Sequence, residues 1–411
     1  MIEFAHAISI STESALDQTN EQDTPLRVSC FFPSARGVVE MIAHDGQSVM
    51  LAATGHIRSF IAQRLNEDGE PSAKADLAPI TAKIVAYPTG SAFESDWIVL
   101  ERARAVDAGL YTKLNEQNRR SLLVLDRESH TWRIADTLSL ECDPADLIIG
   151  PILTAKAARA MGETLDDVFE LCRYPKELAS APCGTACAYK EMGRCPGACD
   201  GSEPMEAYVS RFEQGAGAAE GGITRWKGDL KAGIKDASAG LDFERAQAAK
   251  EQLDRVEKLP IDTLGCAKSM RALSLICITP SVRKGKAMLW RFDRSGLIPI
   301  VTLDTEAAGD ERLLQGVLEN WSSPRAHKAE DMALAEFDSI WLERFALVAR
   351  HWMTKPSKAR RRRVTVLDLR DRVVDQVICD ALRSGIDDAC TPADLDDDLD
   401  LGDEEHTHIV R

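Results

Sequence analysis

Short apolar runs, separated by turn residues such as Asp45-Gly46, recur along the chain from about residue 26. Clustered or alternating apolar residues predict strands, whereas apolar residues three and four positions apart predict helices. The predicted elements are strands at 27–32, 37–42, 48–52 and 84–87 and helices at 56–65 and 95–110. We therefore expect a loose N-terminal segment at 1–25 and a small α/β domain at 26–120.

Beyond residue 120 the same pattern predicts a second set of elements. They are a hairpin over 122–134, a helix at 154–171, a charged helix at 236–259, an antiparallel meander over 274–303, and helices at 313–321, 332–352 and 371–382. Ser384-Gly385 is a typical helix stop and predicts the end of the last helix. The predicted fold class is α+β and multidomain, with a linker hairpin and cysteine-rich helical module at 121–210, a helical hairpin at 211–260, an α+β region at 261–390 and an acidic tail at 391–411.

Composition narrows the function classes. The 411 residues suit two or three domains, and the net charge of −16 argues against a protein that coats nucleic acid by bulk charge. The charge is uneven, because residues 391–411 hold eight acidic residues and one basic residue, which predicts a disordered tail. The sequence has no long apolar run and no secretory start, so we expect a cytoplasmic protein without a membrane partner.

Five of the eleven cysteines fall between Cys172 and Cys199. In a reducing compartment such clustering is more typical of metal or cluster ligands than of disulfides. Pro196-Gly197 can fold the loop between Cys195 and Cys199 tightly enough for both thiolates to reach one centre. Four thiolates suit tetrahedral zinc or an iron–sulfur cluster, and their spacing alone does not separate the two. Buried thiols without a ligand role are the alternative.

The segment from Cys187 to Cys199 resembles the cysteine region of the UvrC family, the nuclease subunit of nucleotide excision repair. In that family the cysteines are separated by seven and then three residues and end in Gly-Arg-Cys-x-x-x-Cys. The resemblance implies a [4Fe-4S] cluster, with zinc as the alternative, held by Cys172, Cys187, Cys195 and Cys199. The first spacer is longer than usual and contains Cys183, which is an alternative ligand in place of Cys172 or Cys187.

Residues 26–120 resemble the GIY-YIG nuclease domain of the same family. Val39 and Met50 stand where the two motif tyrosines are expected, whereas Arg58 matches the family's arginine and Glu101 matches the glutamate that holds Mg²⁺. The tyrosines position or activate water for attack on a phosphodiester. With both tyrosines absent, the resemblance implies a degenerate site in which Arg58 and Glu101 are residual catalytic residues.

The segment from Leu241 to Leu253 is similar to the UVR motif of the family. A short helical hairpin cannot bury its own seam, so it pairs with another helix pair. The resemblance implies a UvrB-like partner, contacted through Leu241, Phe243, Glu244 and Leu253. A hairpin packed on its own protein is the alternative.

One basic run stands out in the C-terminal part. It consists of Lys358, Arg360, Arg361, Arg362 and Arg363. Adjacent arginines suit phosphate contacts and predict salt-dependent nucleic-acid binding. The alternative is an exposed loop neutralised by the acidic tail.

These features predict a UvrC-like DNA-repair protein that binds DNA and a UvrB-like partner in nucleotide excision repair, with a degenerate nuclease site. The sequence lacks a recognisable RNase-H-like or helix–hairpin–helix part. A first alternative is an active GIY-YIG endonuclease that makes a single incision near a lesion, with Glu101 holding Mg²⁺. A second is an iron–sulfur sensor or scaffold that does not cleave DNA.

Overall fold

A computed structural model describes residues 7–12, 27–69, 74–271, 273–322, 338–353, 364–369, 376–391 and 408–409. The chain divides into two compact units. Unit 1 takes its residues from 1–117, 275–326 and 354–411, and unit 2 takes them from 118–274 and 327–353.

Helices and antiparallel sheets occur together in the described residues, which confirms the α+β class. The strands are β1 (Ile8–Ser11), β2 (Gly37–Ala43), β3 (Ser48–Thr54), β4 (Thr81–Pro88), β5 (Ser121–Asp126), β6 (Thr131–Asp136), β7 (Leu147–Ile152), β8 (Lys268–Ser269), β9 (Leu275–Pro280), β10 (Lys286–Asp293), β11 (Gly296–Asp304), β12 (Thr365–Asp368) and β13 (His408–Ile409). The helices are α1 (Ile57–Arg64), α2 (Ala92–Val106), α3 (Ala108–Asn118), α4 (Ala155–Phe169), α5 (Pro175–Leu178), α6 (Ala188–Glu191), α7 (Met205–Glu220), α8 (Gly222–Ala239), α9 (Phe243–Val256), α10 (Ile261–Leu264), α11 (Thr305–Gly309), α12 (Glu311–Ser322), α13 (Ser339–Met353) and α14 (Gln376–Cys390).

The N-terminal sheet of unit 1 has the strand order β1-β4-β2-β3-β13. Successive side chains of a strand point to opposite faces of the sheet. Val39 and Met41 of β2 therefore share one face, where they pack in a core cluster with Ile57 and Phe60 of α1. Helix α1 covers this face.

The opposite face of the N-terminal sheet carries a buried ion pair. Glu40 of β2, which is 1% exposed, accepts two hydrogen bonds from Arg102 of α2, at 2.9 and 3.0 Å. The hydroxyl of Tyr87 on β4 also hydrogen-bonds to Glu40. Two-point arginine–carboxylate pairing fixes orientation as well as distance. Helix α2 therefore lies on the face of the sheet opposite to α1.

Helix α2 also contacts the second sheet of unit 1, whose strand order is β11-β10-β9-β12. Trp290 of β10 lies edge-on against Phe93 at 5.5 Å and Trp97 at 5.0 Å between ring centroids, and its indole N–H donates to Thr279 at 3.0 Å. Because Trp290 is 1% exposed, the two sheets of unit 1 enclose α2 between them.

Several local predictions are wrong. The segment expected to be loose contains β1, which pairs with β4, and the helices expected at 95–110 and 236–259 are each interrupted, at Asp107 and at 240–242. Residues 28–31 form a 3-10 helix rather than a strand, because the Cys30 and Phe32 amides each donate to the carbonyl three residues earlier along the chain. The last helix does not stop at Gly385 but continues to Cys390. A Cβ at Gly385 would lie 2.5 Å from Ile278 Cδ1, so this glycine permits close helix–sheet packing instead of ending the helix.

Unit 2 is built on the sheet β6-β5-β7-β8. The core of unit 2 packs this sheet against α4, α7 and α8. Its buried residues include Leu123, Ile149, Leu165, Phe212 and Trp226. No helix of the described residues is long and apolar enough to cross a membrane. The basic run at 358 and 360–363 and most of the acidic tail lie outside the described residues.

Candidate cysteine centre

Helix α4 ends three residues before Cys172, the first of the clustered cysteines. Its start is capped by Thr154, whose side chain accepts the Ala157 N–H at 3.2 Å. At its end Glu170 adopts a left-handed conformation with φ of 51°, and Arg211 of α7 donates to the carbonyls of Phe169 (3.0 Å) and Glu170 (3.3 Å). The arginine satisfies carbonyls that the helix end leaves open, which fixes the turn into Cys172.

A buried tyrosine holds the backbone of Cys172. The hydroxyl of Tyr208 accepts the Cys172 N–H at 3.4 Å and donates to the His130 carbonyl at 3.0 Å. Tyr208 is 1% exposed. Sequence reasoning missed both Tyr208 and Arg211, because each acts on a segment about 40 residues away and only the fold shows that contact.

The remaining cysteines lie on a compact loop. Cys187 stands immediately before α6, and Cys195 and Cys199 are buried on either side of Gly197, which has φ of 94°. Gly184 donates its N–H to the Cys199 carbonyl at 2.8 Å, and a Cβ there would lie 2.9 Å from that oxygen. Glycine is needed at both places, one for its φ and one for close backbone approach.

Four of the five thiols interact electrostatically with one another. Burial raises the pKa of Cys172 to about 11, and Cys195, Cys199 and Cys187 add to that rise. Burial also raises the pKa of Cys195 and of Cys199, with Cys187 contributing in both cases. Cys183, by contrast, is exposed. The fold thus brings together the four cysteines that the family resemblance selected.

The described residues contain no group of three or more His, Cys, Asp or Glu side chains that is arranged to hold a single metal ion. In a cubane cluster each thiolate binds a different iron, so its four ligands stand farther apart than those of one zinc ion. Soft thiolate donors suit either centre.

A buried carboxyl lies one turn before the end of α4, the helix that leads into Cys172. Asp166 of α4 is 3% exposed and accepts the indole N–H of Trp132 at 2.9 Å. Burial raises its pKa to about 7, against the lowering effect of that hydrogen bond. An aspartate in the unfolded chain titrates near 3.9, so the folded protein retains a proton that the unfolded chain releases.

We expect Asp166→Asn to stabilise unit 2 at alkaline pH. Stability falls as pH rises from about 4 to about 7, because only the unfolded carboxyl ionises freely there. Asparagine keeps an acceptor for Trp132 and cannot ionise, so the free energy of unfolding should rise by about 2–4 kcal/mol at pH 8 and stay unchanged at pH 4. Urea titrations at both pH values measure this. Glu220→Gln, an exposed carboxyl at the end of α7 in the same unit, is the control and should change either value by less than about 0.5 kcal/mol.

The nuclease-like residues do not form a common site. Val39 and Met50, at the tyrosine positions, are fully buried in the core under α1. Arg58 is exposed at the start of α1 and donates to the Phe32 carbonyl at 2.9 Å. Glu101 lies on α2, pairs with Arg104 at 2.8 Å and keeps 9% of its side chain exposed. Arg58 and Glu101 are therefore on helices that cover opposite faces of one sheet.

The UVR-like segment begins at a turn between α8 and α9. Leu241 (73% exposed) and Phe243 (68%) stand at its tip, and Glu244 is also exposed. Leu253 is only 9% exposed, since the far end of α9 packs in the core of unit 2 near Val256. Of the four predicted partner residues, three are accessible and Leu253 serves the protein's own core.

Comparison with known proteins shows what the segment that holds these cysteines is similar to. Residues 122–217 match the family model described as UvrC/Cho excinuclease, middle domain, and this range contains all four converging cysteines. This segment of the chain is thus similar to the UvrC family, and the resemblance predicted from the cysteine segment is confirmed. The GIY-YIG-like and UVR-like segments lie outside the matched range.

Individual curated proteins are also similar to part of this chain. UvrABC system protein C of Leptospira biflexa is 29% identical over 117 residues, 28% of this chain and 19% of the relative. The proteins of the same name from Nitratidesulfovibrio vulgaris (33% over 109 residues, 26% and 16%) and Thermus thermophilus (28% over 197 residues, 44% and 30%) are also similar. The chain thus spans less than a third of the length of these relatives. No solved structure matches it significantly.

Proposed function

We propose that this chain is a UvrC-like protein of nucleotide excision repair that carries a [4Fe-4S] cluster, joins a UvrB-like partner on DNA and does not itself cut. The observation that carries the proposal is the convergence of Cys172, Cys187, Cys195 and Cys199 within a UvrC/Cho-type middle domain. When bound, the cluster would supply a redox-active and rigid cross-link between α4 and the cysteine loop.

The positions and contacts of Arg58 and Glu101 in residues 26–120 support a role that does not include DNA cleavage. A one-metal nuclease needs its metal-holding carboxylate and its phosphate-binding arginine on one accessible surface. Glu101 follows Trp97 by four residues and so shares its face of α2, which is turned to Trp290 and the second sheet of unit 1. Its carboxylate is already paired with Arg104. These contacts favour the degenerate site over the active endonuclease.

A lesion-bearing duplex tests the function. We expect the purified chain, added with a UvrB-like partner and Mg²⁺, to shift the duplex–partner complex in a gel without producing a nick. Glu101→Gln should behave like the unchanged protein in both readouts. A nick that disappears in Glu101→Gln would establish the active endonuclease instead. A chain that leaves the complex unshifted would favour the sensor or scaffold alternative.

The exposed hairpin tip supports the partner proposal. An apolar pair as exposed as Leu241 and Phe243 is costly in water unless another surface covers it. We expect Phe243→Ala to weaken binding of a UvrB-like partner about tenfold or more, because aromatic anchors dominate such interfaces. Titration calorimetry measures this, with Val377→Ala, an exposed apolar residue of unit 1, as the control. Equal affinities for the two variants would remove the hairpin as the contact.

A further inference from the structure

Two tyrosine rings lie side by side in the cysteine-rich part of unit 2. Tyr174 stands immediately before α5 and Tyr189 lies in α6. Their ring centroids are 6.2 Å apart, and the ring planes are tilted by 52°. Tyr174 is 45% exposed, and Tyr189 is partly exposed. Much of the Tyr174 ring is therefore open to a ligand.

An arginine holds the second ring in place. The guanidinium of Arg173 lies over the Tyr189 ring, with 4.1 Å between its central carbon and the ring centroid, and it also pairs with the carboxylate of Asp167 on α4. A cation over an aromatic face is attracted by the quadrupole of the ring. Tyr189 is thus anchored through Arg173 to α4. A surface that is already ordered loses little conformational entropy when it binds a ligand.

The segment that carries the two rings is basic, although the protein is acidic. Residues 172–194 contain four basic and two acidic residues, whereas the whole chain has a net charge of −16. Of the two carboxylates in this segment, that of Glu177 accepts the Thr185 N–H at 2.8 Å, and that of Glu191 is exposed. A local excess of positive charge attracts a polyanion even where the charge of the whole protein opposes it.

Two of the four basic side chains are exposed beside the tyrosines. Lys176 follows Tyr174 by two residues, in α5. Arg194 donates its backbone N–H to the Tyr189 carbonyl at 2.9 Å, so its side chain starts next to that residue. The other two basic residues pair with carboxylates of unit 2. Lys176 and Arg194 are therefore the cations of this segment that a phosphate can reach.

We propose that Tyr174, Tyr189, Lys176 and Arg194 form a tyrosine surface that binds unstacked nucleotides of single-stranded DNA. Nonspecific single-strand binding combines aromatic side chains, on which bases stack, with cations that contact the phosphates. In a duplex the bases already stack on one another, so the rings favour the single strand. The inference rests on the proposed function in one respect, namely that DNA is the polymer bound. It requires neither DNA cleavage nor a UvrB-like partner.

Fluorescence anisotropy of a labelled DNA single strand of about 12 nucleotides, titrated with the full chain and no other protein, tests the tyrosine surface. Tyr174→Leu keeps an apolar side chain but removes the ring, so we expect it to weaken binding about fivefold or more. Tyr174→Phe keeps the ring and should bind as the unchanged chain does. Leu153→Ala, which truncates an apolar residue that is 42% exposed in the same unit, is the control and should also leave binding unchanged.

The cationic part of the tyrosine surface has its own test. Arg194→Met should weaken single-strand binding and reduce the slope of log affinity against log salt by about 0.7, because one phosphate contact is lost. Arg159→Met removes an equal charge from an exposed position on α4 and is the matched control, which should keep the slope. Equal slopes for the two variants would remove Arg194 from the surface.

The outcomes separate this inference from the proposed function. Single-strand affinity that is equal in Tyr174→Leu and the unchanged chain would overturn the tyrosine surface alone, if the chain still shifts the complex of lesion-bearing duplex and UvrB-like partner. Single-strand binding that needs the Tyr174 ring, with that complex unshifted, would support the surface and contradict the proposed function. Weaker binding of the UvrB-like partner by Tyr174→Leu, with single-strand affinity unchanged, would assign the rings to a protein interface and overturn the proposal.

Discussion

Cys187→Ser is expected to abolish the cluster, whereas Cys183→Ser is expected to leave it intact. Cys187 interacts electrostatically with Cys172, Cys195 and Cys199, whereas Cys183, four residues earlier, is exposed. A serine oxygen is a poor ligand for iron in a thiolate cluster. The unchanged chain, purified without oxygen, should hold about four irons per molecule, and Cys187→Ser should hold less than about one.

Iron and acid-labile sulfide assays, together with the visible absorption spectrum, measure this difference. Loss of the cluster should also lower the thermal midpoint of unit 2, because the binding energy of a metal centre is also folding energy. The reverse result, with iron lost only in Cys183→Ser, would exchange the two ligands. One zinc and no iron in the unchanged chain would select the zinc alternative. A chain that holds no zinc and no iron would overturn the proposal of a metal centre.

The second large effect is expected on the stability of unit 1. Trp290→Ala should destabilise unit 1 by about 3–5 kcal/mol, the usual cost of deleting a large buried aromatic side chain. Trp290 fills the space between α2 and β9, contacts Phe93 and Trp97, and bonds Thr279, so its removal leaves a cavity and an unpaired hydroxyl. Hydrogen exchange of α2, β9 and β10 measures the loss as reduced protection of these amides.

Ile300→Ala is the matched control for this prediction. Ile300 lies on β11 of the same sheet and is 43% exposed, so its truncation should change stability by less than about 0.5 kcal/mol. Equal protection in Trp290→Ala and Ile300→Ala would mean that the two sheets of unit 1 do not depend on this contact. Faster exchange confined to β9–β11, with α2 unaffected, would show that the aromatic contact does not couple helix and sheet.

Local patterns predicted the elements that depend on local interactions. The helix expected at 154–171 is observed at 155–169, because its apolar positions recur at helical spacing and Thr154 caps its start. The meander expected over 274–303 is observed as β9, β10 and β11. The strand expected at 27–32 failed, since a short apolar run is compatible with several conformations and its packing decides among them.

The amino-acid sequence by itself determined the chemistry of the candidate centre: soft thiolate donors, their spacing and the UvrC resemblance that the family comparison confirms. Only the tertiary structure decided which thiols meet, that Tyr208 and Arg211 hold the first of them, and that Arg58 and Glu101 lie on opposite sides of a sheet. It also showed that Gly385 lets the last helix pack closely on the sheet and does not end that helix. The reason is physical: donor chemistry belongs to individual side chains, whereas convergence depends on contacts between segments far apart in the chain.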